Sequence, residues 1–104
     1  MNLYTEARTI AAEALRESRQ YGGETQDMIH ESCDGHEIAI YYHKAIQFCA
    51  DNDTDDGESF LEDCGGIAQP GDTFGAIACR IAFATLYCAA LDALAEMESE
   101  SEDA

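Results

Sequence analysis

From Leu3 to Gln20 the apolar residues Leu3, Ala7, Ile10, Ala11, Ala14 and Leu15 recur at three- and four-residue intervals, with Glu6, Glu13 and Glu17 between them. That period gathers the apolar side chains on one stripe of a helix, and Gly22-Gly23 stops it. The next stretch reads differently. Asp27–Cys33 and His36–Tyr42 are two short runs separated by Asp34-Gly35, and Glu37, Ala39 and Tyr41 alternate with Ile38, Ile40 and Tyr42. An Asp-Gly pair suits a type I′ turn, which needs positive φ at both central positions, so the pattern predicts a β-hairpin. A lone hairpin is marginal, and this one must pack on helices.

Tyr42 to Ala50 returns to helical spacing, with Ala45, Ile46 and Cys49 on the expected inner side. Asp51 to Gly57 reads as an acidic loop. A short helix is expected over residues 56–64, capped by Asp55 with Glu58 completing a capping box, and ended by Gly65-Gly66. Pro70-Gly71-Asp72 then launches the most apolar element, Thr73 to about Met97, in which Phe74, Ile77, Ile81, Leu86, Leu91 and Leu94 leave little polar face. A helix apolar nearly all round is either central or an interface. The uncharged run between Arg80 and Asp92 is 11 residues, against the roughly 20 that a bilayer needs, so a membrane span is not expected. Glu98, Glu100, Glu102 and Asp103 put negative charge where the helix dipole disfavours it, so residues 98–104 should form a frayed tail. The expected fold is therefore α+β. It is mostly helical, with about four helices and one β-hairpin after the first, in a single domain over residues 1–97. The last helix is central or at a homodimer interface.

Charge changes the picture most. Twenty-two Asp and Glu face five Lys and Arg, for a formal net charge of −17, although 46% of the chain is hydrophobic. Such an imbalance destabilises a compact state by self-repulsion. It also disfavours direct nucleic-acid binding, which depends on Lys and Arg neutralising phosphates. Natural partners are basic proteins, cations or nucleic-acid-binding clefts. Duplex DNA carries one charge per about 1.7 Å of axis, so seventeen charges would span about 29 Å. A globular chain of this length has a radius of gyration near 13 Å and a diameter of roughly 33 Å, so one face could approach that density.

The five cysteines contain no CxxC pair, and the opening MNLYTEARTI has neither the basic segment nor the apolar core of a signal peptide. Free thiols in a cytoplasmic protein are the expectation. Asp51, Asp53, Asp55 and Glu62 stand at positions 1, 3, 5 and 12 of an EF-hand-like loop, which would surround calcium with oxygens. Two departures weaken this alternative: the glycine falls at position 7 as Gly57, and Glu58 occupies position 8 where an apolar residue packs. His30, His36, His43 and Cys33 match no zinc spacing, so no metal and no cofactor are expected. No GxSxG, phosphate loop or HExxH is present, and a binding protein is expected rather than an enzyme. The tyrosines, Tyr41 above all, are candidate interface anchors.

The stretch from Ile29 to Ala45 (IHESCDGHEIAIYYHKA), followed by Gly57 to Gly66 (GESFLEDCGG), resembles small proteins of bacteriophages and plasmids over roughly positions 28 to 95. In size, acidity and lack of catalytic motifs the chain is also similar in type to phage-encoded inhibitors of host defence, the anti-CRISPR and anti-restriction proteins. That resemblance implies an inhibitor in the host bacterial cytoplasm. It would bind a basic surface of a nucleic-acid-handling complex and block DNA binding or nuclease recruitment. Asp51, Asp53, Asp55, Asp56, Glu58, Glu62 and Asp63, with Tyr41, would then face the target. A calcium-binding module and a structural or regulatory homodimer of a mobile element are the alternatives.

Overall fold

In the computed structural model, which describes residues 2–102, six helices follow one another: α1 (Leu3–Tyr21), α2 (Thr25–Asp34), α3 (Glu37–Ile40), α4 (Tyr42–Asp51), α5 (Asp55–Asp63) and α6 (Phe74–Glu102). The described residues contain no strand. α6 is the axis, and each of the other five helices packs against it. Twenty-nine residues at about 1.5 Å each make a rod of roughly 43 Å. The molecule is accordingly elongated, 48 × 24 × 22 Å, rather than the sphere expected from its length.

α1 is the helix that the pattern predicts. Asn2 caps it by accepting the Thr5 backbone N–H at 2.9 Å, and Gly22 ends it at φ 80°. Its buried stripe of Ala7, Ile10, Ala11 and Ala14 meets Ala82, Leu86, Ala90 and Ala93 in the common core.

The expected β-hairpin is absent. Residues 27–33 belong to α2, and Gly35 has φ −89° and ψ 1°, which is no type I′ turn. Its N–H instead bonds the Glu31 carbonyl at 3.1 Å and closes the helix. The reason is periodicity. Ile29 and Cys33, both fully buried, are one helical turn apart, whereas a strand would place Glu31 between them on the same buried face. The second arm fails likewise. Ile38 is buried and Ile40 is 52% exposed, so the two do not share a face. Residues 37–40 form only the single turn α3, with His36 Nδ1 accepting the Ile38 N–H at 3.3 Å.

α4 begins and ends close to its expected bounds, but it turns Ala45 and Phe48 inward and leaves Ile46 exposed. The cap of α5 also differs. Asp53 Oδ1, not Asp55, accepts a backbone N–H, that of Asp55 at 3.0 Å, and no side chain caps from Thr54. The loop before α6 is tied down by Arg80, which donates to Asp72 Oδ2 at 2.9 Å and to the Ile67 carbonyl. That guanidinium holds the Asp72 carboxyl below its usual range.

α6 starts after Thr73, whose hydroxyl accepts the Ala76 N–H, and it runs on through Glu102. Part of the expected tail, Asp103 and Ala104, lies outside the described residues. By length and composition Phe74–Glu100 would suffice to cross a membrane. Its apolar sides are, however, the surface on which α1 to α5 bury theirs, which explains its composition without a lipid phase.

Candidate acidic binding face

α5 carries five of the candidate acids. At about 100° per residue, Asp55, Asp56, Glu58, Glu62 and Asp63 fall within an arc of roughly 160°, while Gly57, Phe60 and Leu61 point to the other side, where α5 packs on α6. Five carboxylates on nine residues, a length of about 13 Å, give one charge per roughly 2.7 Å of axis. This is a little over half the linear density of duplex DNA. No Lys or Arg occurs between Lys44 and Arg80. None of the five makes an ion pair among the described residues.

Asp55, Glu58, Ser59 and Glu62, with Ile67, line an open groove of about 570 Å³. Asp56 and Asp63 lie on the opposite flank of the helix. There the Cys88 thiol points at the Asp56 carbonyl, 3.9 Å away. Burial first, then the charges of Asp56 and Asp92, push that thiol up.

Other candidates fall elsewhere. Asp51 ends α4, accepts a hydrogen bond from Gln47 at 2.9 Å, and lines a separate groove with Glu37, Lys44 and Phe48. Asp53 is committed to the α5 backbone. Tyr41 is 51% exposed where α4 starts, at the other end of that helix from the Asp51 terminus that leads into α5, so Tyr41 stands apart from the acidic face.

The calcium geometry is not formed. α5 begins at Asp55, the fifth position of the would-be loop, so the helix consumes the residues that should wrap a cation. Among the described residues no three His, Cys, Asp or Glu come together as metal ligands. His36 donates from Nε2 to Glu6 at 3.2 Å. His30 stands edge-on to Phe83 and Tyr87 at 5.2 and 5.6 Å. Cys33 is fully buried, and that burial pushes its thiol up to about 12.

The comparisons add no relative. Neither protein-family models, nor curated proteins, nor solved structures give a match.

Charge is thus segregated. Arg8, Arg16 and Arg19 place three of the five cations on α1, while α2 and α5 have none. With so many carboxylates unpaired, added salt should stabilise the fold by screening repulsion. We expect Tm to rise from low ionic strength to about 0.15 M, where the Debye length is about 8 Å. A Tm that falls with sodium chloride would mean that the ion pairs outweigh the repulsion.

Proposed function

We propose that this chain is a binding protein that occupies a cationic, nucleic-acid-handling surface of another protein, as a phage or mobile-element inhibitor of a host defence complex would. The observation that carries the reading is the α5 face, a rigid helical arc of carboxylates with no cation between Lys44 and Arg80. Fixed acids at a little over half the charge density of duplex DNA compete with phosphates for the same Lys and Arg side chains. Bound there, the protein blocks DNA entry or the recruitment of a nuclease. Opposite charges speed such an encounter, and salt slows it. The reading involves no catalysis and no cofactor.

The test is capture of partners from bacterial lysate on the immobilised protein, with release by salt and by duplex DNA. Glu58→Lys with Glu62→Lys is the informative variant. Both residues line the groove and neither caps α5, and a cation at position 62 suits the negative end of the helix dipole. Affinity for the captured protein should fall at least about tenfold, with a shallower salt dependence. Capture that resists salt and DNA, and is unchanged by the double substitution, removes α5 from the function.

A further inference from the structure

A second surface lies between α1 and α6. Leu3, Ala7, Ala89 and Ala93 form an apolar floor, and Tyr4, Asp92 and Glu96 stand at the rim of a groove of about 200 Å³. Small-molecule sites usually begin at about 300 Å³, so the space suits one long side chain better than a cofactor. The two carboxylates are one helical turn apart on α6, on the same side of the groove.

Their chemistry is already displayed by the chain itself. Arg8 lies over the Tyr4 ring, 5.5 Å from its centroid, and its Nη1 is 3.3 Å from Tyr4 Oη and 3.5 Å from Glu96 Oε2. Those are long contacts at an exposed site, and such pairs contribute little. Asp92, by contrast, is exposed and has no cationic partner among the described residues.

We propose that this groove receives an arginine side chain from the basic partner. The aliphatic stem lies on Leu3, Ala7, Ala89 and Ala93, and the guanidinium pairs with Asp92 and shares Glu96 with Arg8. A long cationic side chain is the one residue type that matches both an apolar floor and a carboxylate rim. The planar fork of arginine suits carboxylate acceptors better than the point charge of lysine. The inference rests on the proposed function for the existence of a basic partner, and adds a contact outside α5.

Backbone amide shifts of the full chain, titrated with a short arginine-rich peptide and with its neutral citrulline counterpart, test it. The arginine peptide should shift the amides of Ala7, Ala89 and Ala93, and the citrulline peptide should not. Ala89→Leu, which fills the groove without changing charge, should weaken the groove response about tenfold. Asp92→Asn, at an exposed position that leaves the core alone, should do the same while the response at Glu58 and Glu62 persists. Shifts confined to α5, or equal responses in wild type and Ala89→Leu, overturn the groove and leave the acidic face standing. No shift anywhere at low salt overturns both. Groove shifts that appear with protein concentration alone identify a second copy of the chain as the occupant and overturn the arginine.

Discussion

Gly57→Ala should destabilise the protein by about 3 kcal/mol, even though alanine is the better helix former. Gly57 is buried in α5 where that helix packs on α6. A Cβ there would lie 2.6 Å from the Thr85 backbone nitrogen and 2.8 Å from its Cα, besides striking the Thr85 hydroxyl. A backbone cannot rotate aside as a side chain can, so α5 must lift off α6. The gain from replacing glycine in a helix is about 1 kcal/mol. Overpacking of a buried site costs typically about 1–3 kcal/mol and sometimes more. Here the clash is with main chain and should dominate. For a domain of this size, thermal denaturation should show a Tm lower by roughly 15 °C. Gly75→Ala is the control. Its added Cβ would lie 2.7 Å from Tyr42 Cδ2 and Cγ, which rotation of that 56% exposed ring carries away, and 3.0 Å from Tyr42 Cβ, which must give slightly, so Tm should fall much less than for Gly57→Ala. Equal effects at both positions would refute the argument from backbone contact.

Raising the pH above about 9 should unfold the protein progressively, with Cys33 as the main cause. Its thiol has no exposure, and burial, assisted by Cys88, raises its pKa from 9.0 to about 12. An acid whose folded pKa lies above its unfolded value stabilises the fold fully below the unfolded value. Between pH 9 and 12 the unfolded chain loses the proton while the folded chain keeps it, so stability falls as pH rises. At about 1.36 kcal/mol per unit, the loss approaches about 4 kcal/mol at the upper end. Cys49, Cys79 and Cys88 are pushed up as well, burial being the largest cause in each, and act in the same direction. Urea denaturation at several alkaline pH values measures the slope. Cys33→Ala should lower stability at neutral pH through the lost packing, yet flatten the alkaline decline. A decline as steep as that of wild type would assign it to other groups.

How far the sequence could be read depended on whether one helix face was enough to decide the matter. α1 and α6 were legible because their stripes are long and their ends are marked by Gly22 and by Thr73 after Pro70. The acids of α5 were legible as a group because Gly65-Gly66 bounds them. The hairpin was a misreading of a short segment. Asp34-Gly35 is a strong turn pair, but the Ile29–Cys33 spacing, visible in the same residues, is helical and prevailed once α6 offered a surface for it. The inner face of α4 was misjudged because Phe48 and Ile46 are equally apolar, and only the direction of α6 distinguishes them. Asp51 and Tyr41, expected to face the target together with the acids of α5, are held apart from them by the end of α4 and the single turn of α3. The groove at Asp92 was invisible, since Leu3 and Ala93 meet only in three dimensions. The alanines that line it, Ala7, Ala89 and Ala93, read equally as small residues that let two helices approach closely, so they do not betray a groove.

The hub arrangement of α6 also governs when the chain can fold. α5 packs closely on α6 alone, and apart from the lesser packing that runs through α2 and α3 the same helix joins α1 to α4. During synthesis α6 is the last of the six helices to leave the ribosome. Until it does, α1 can pack on α2 and α3 on α4, but α5 has an apolar stripe and nothing to lay it on. The five carboxylates of α5, with no cation among its nine residues, would then repel neighbouring nascent chains from the stretch that still lacks its partner.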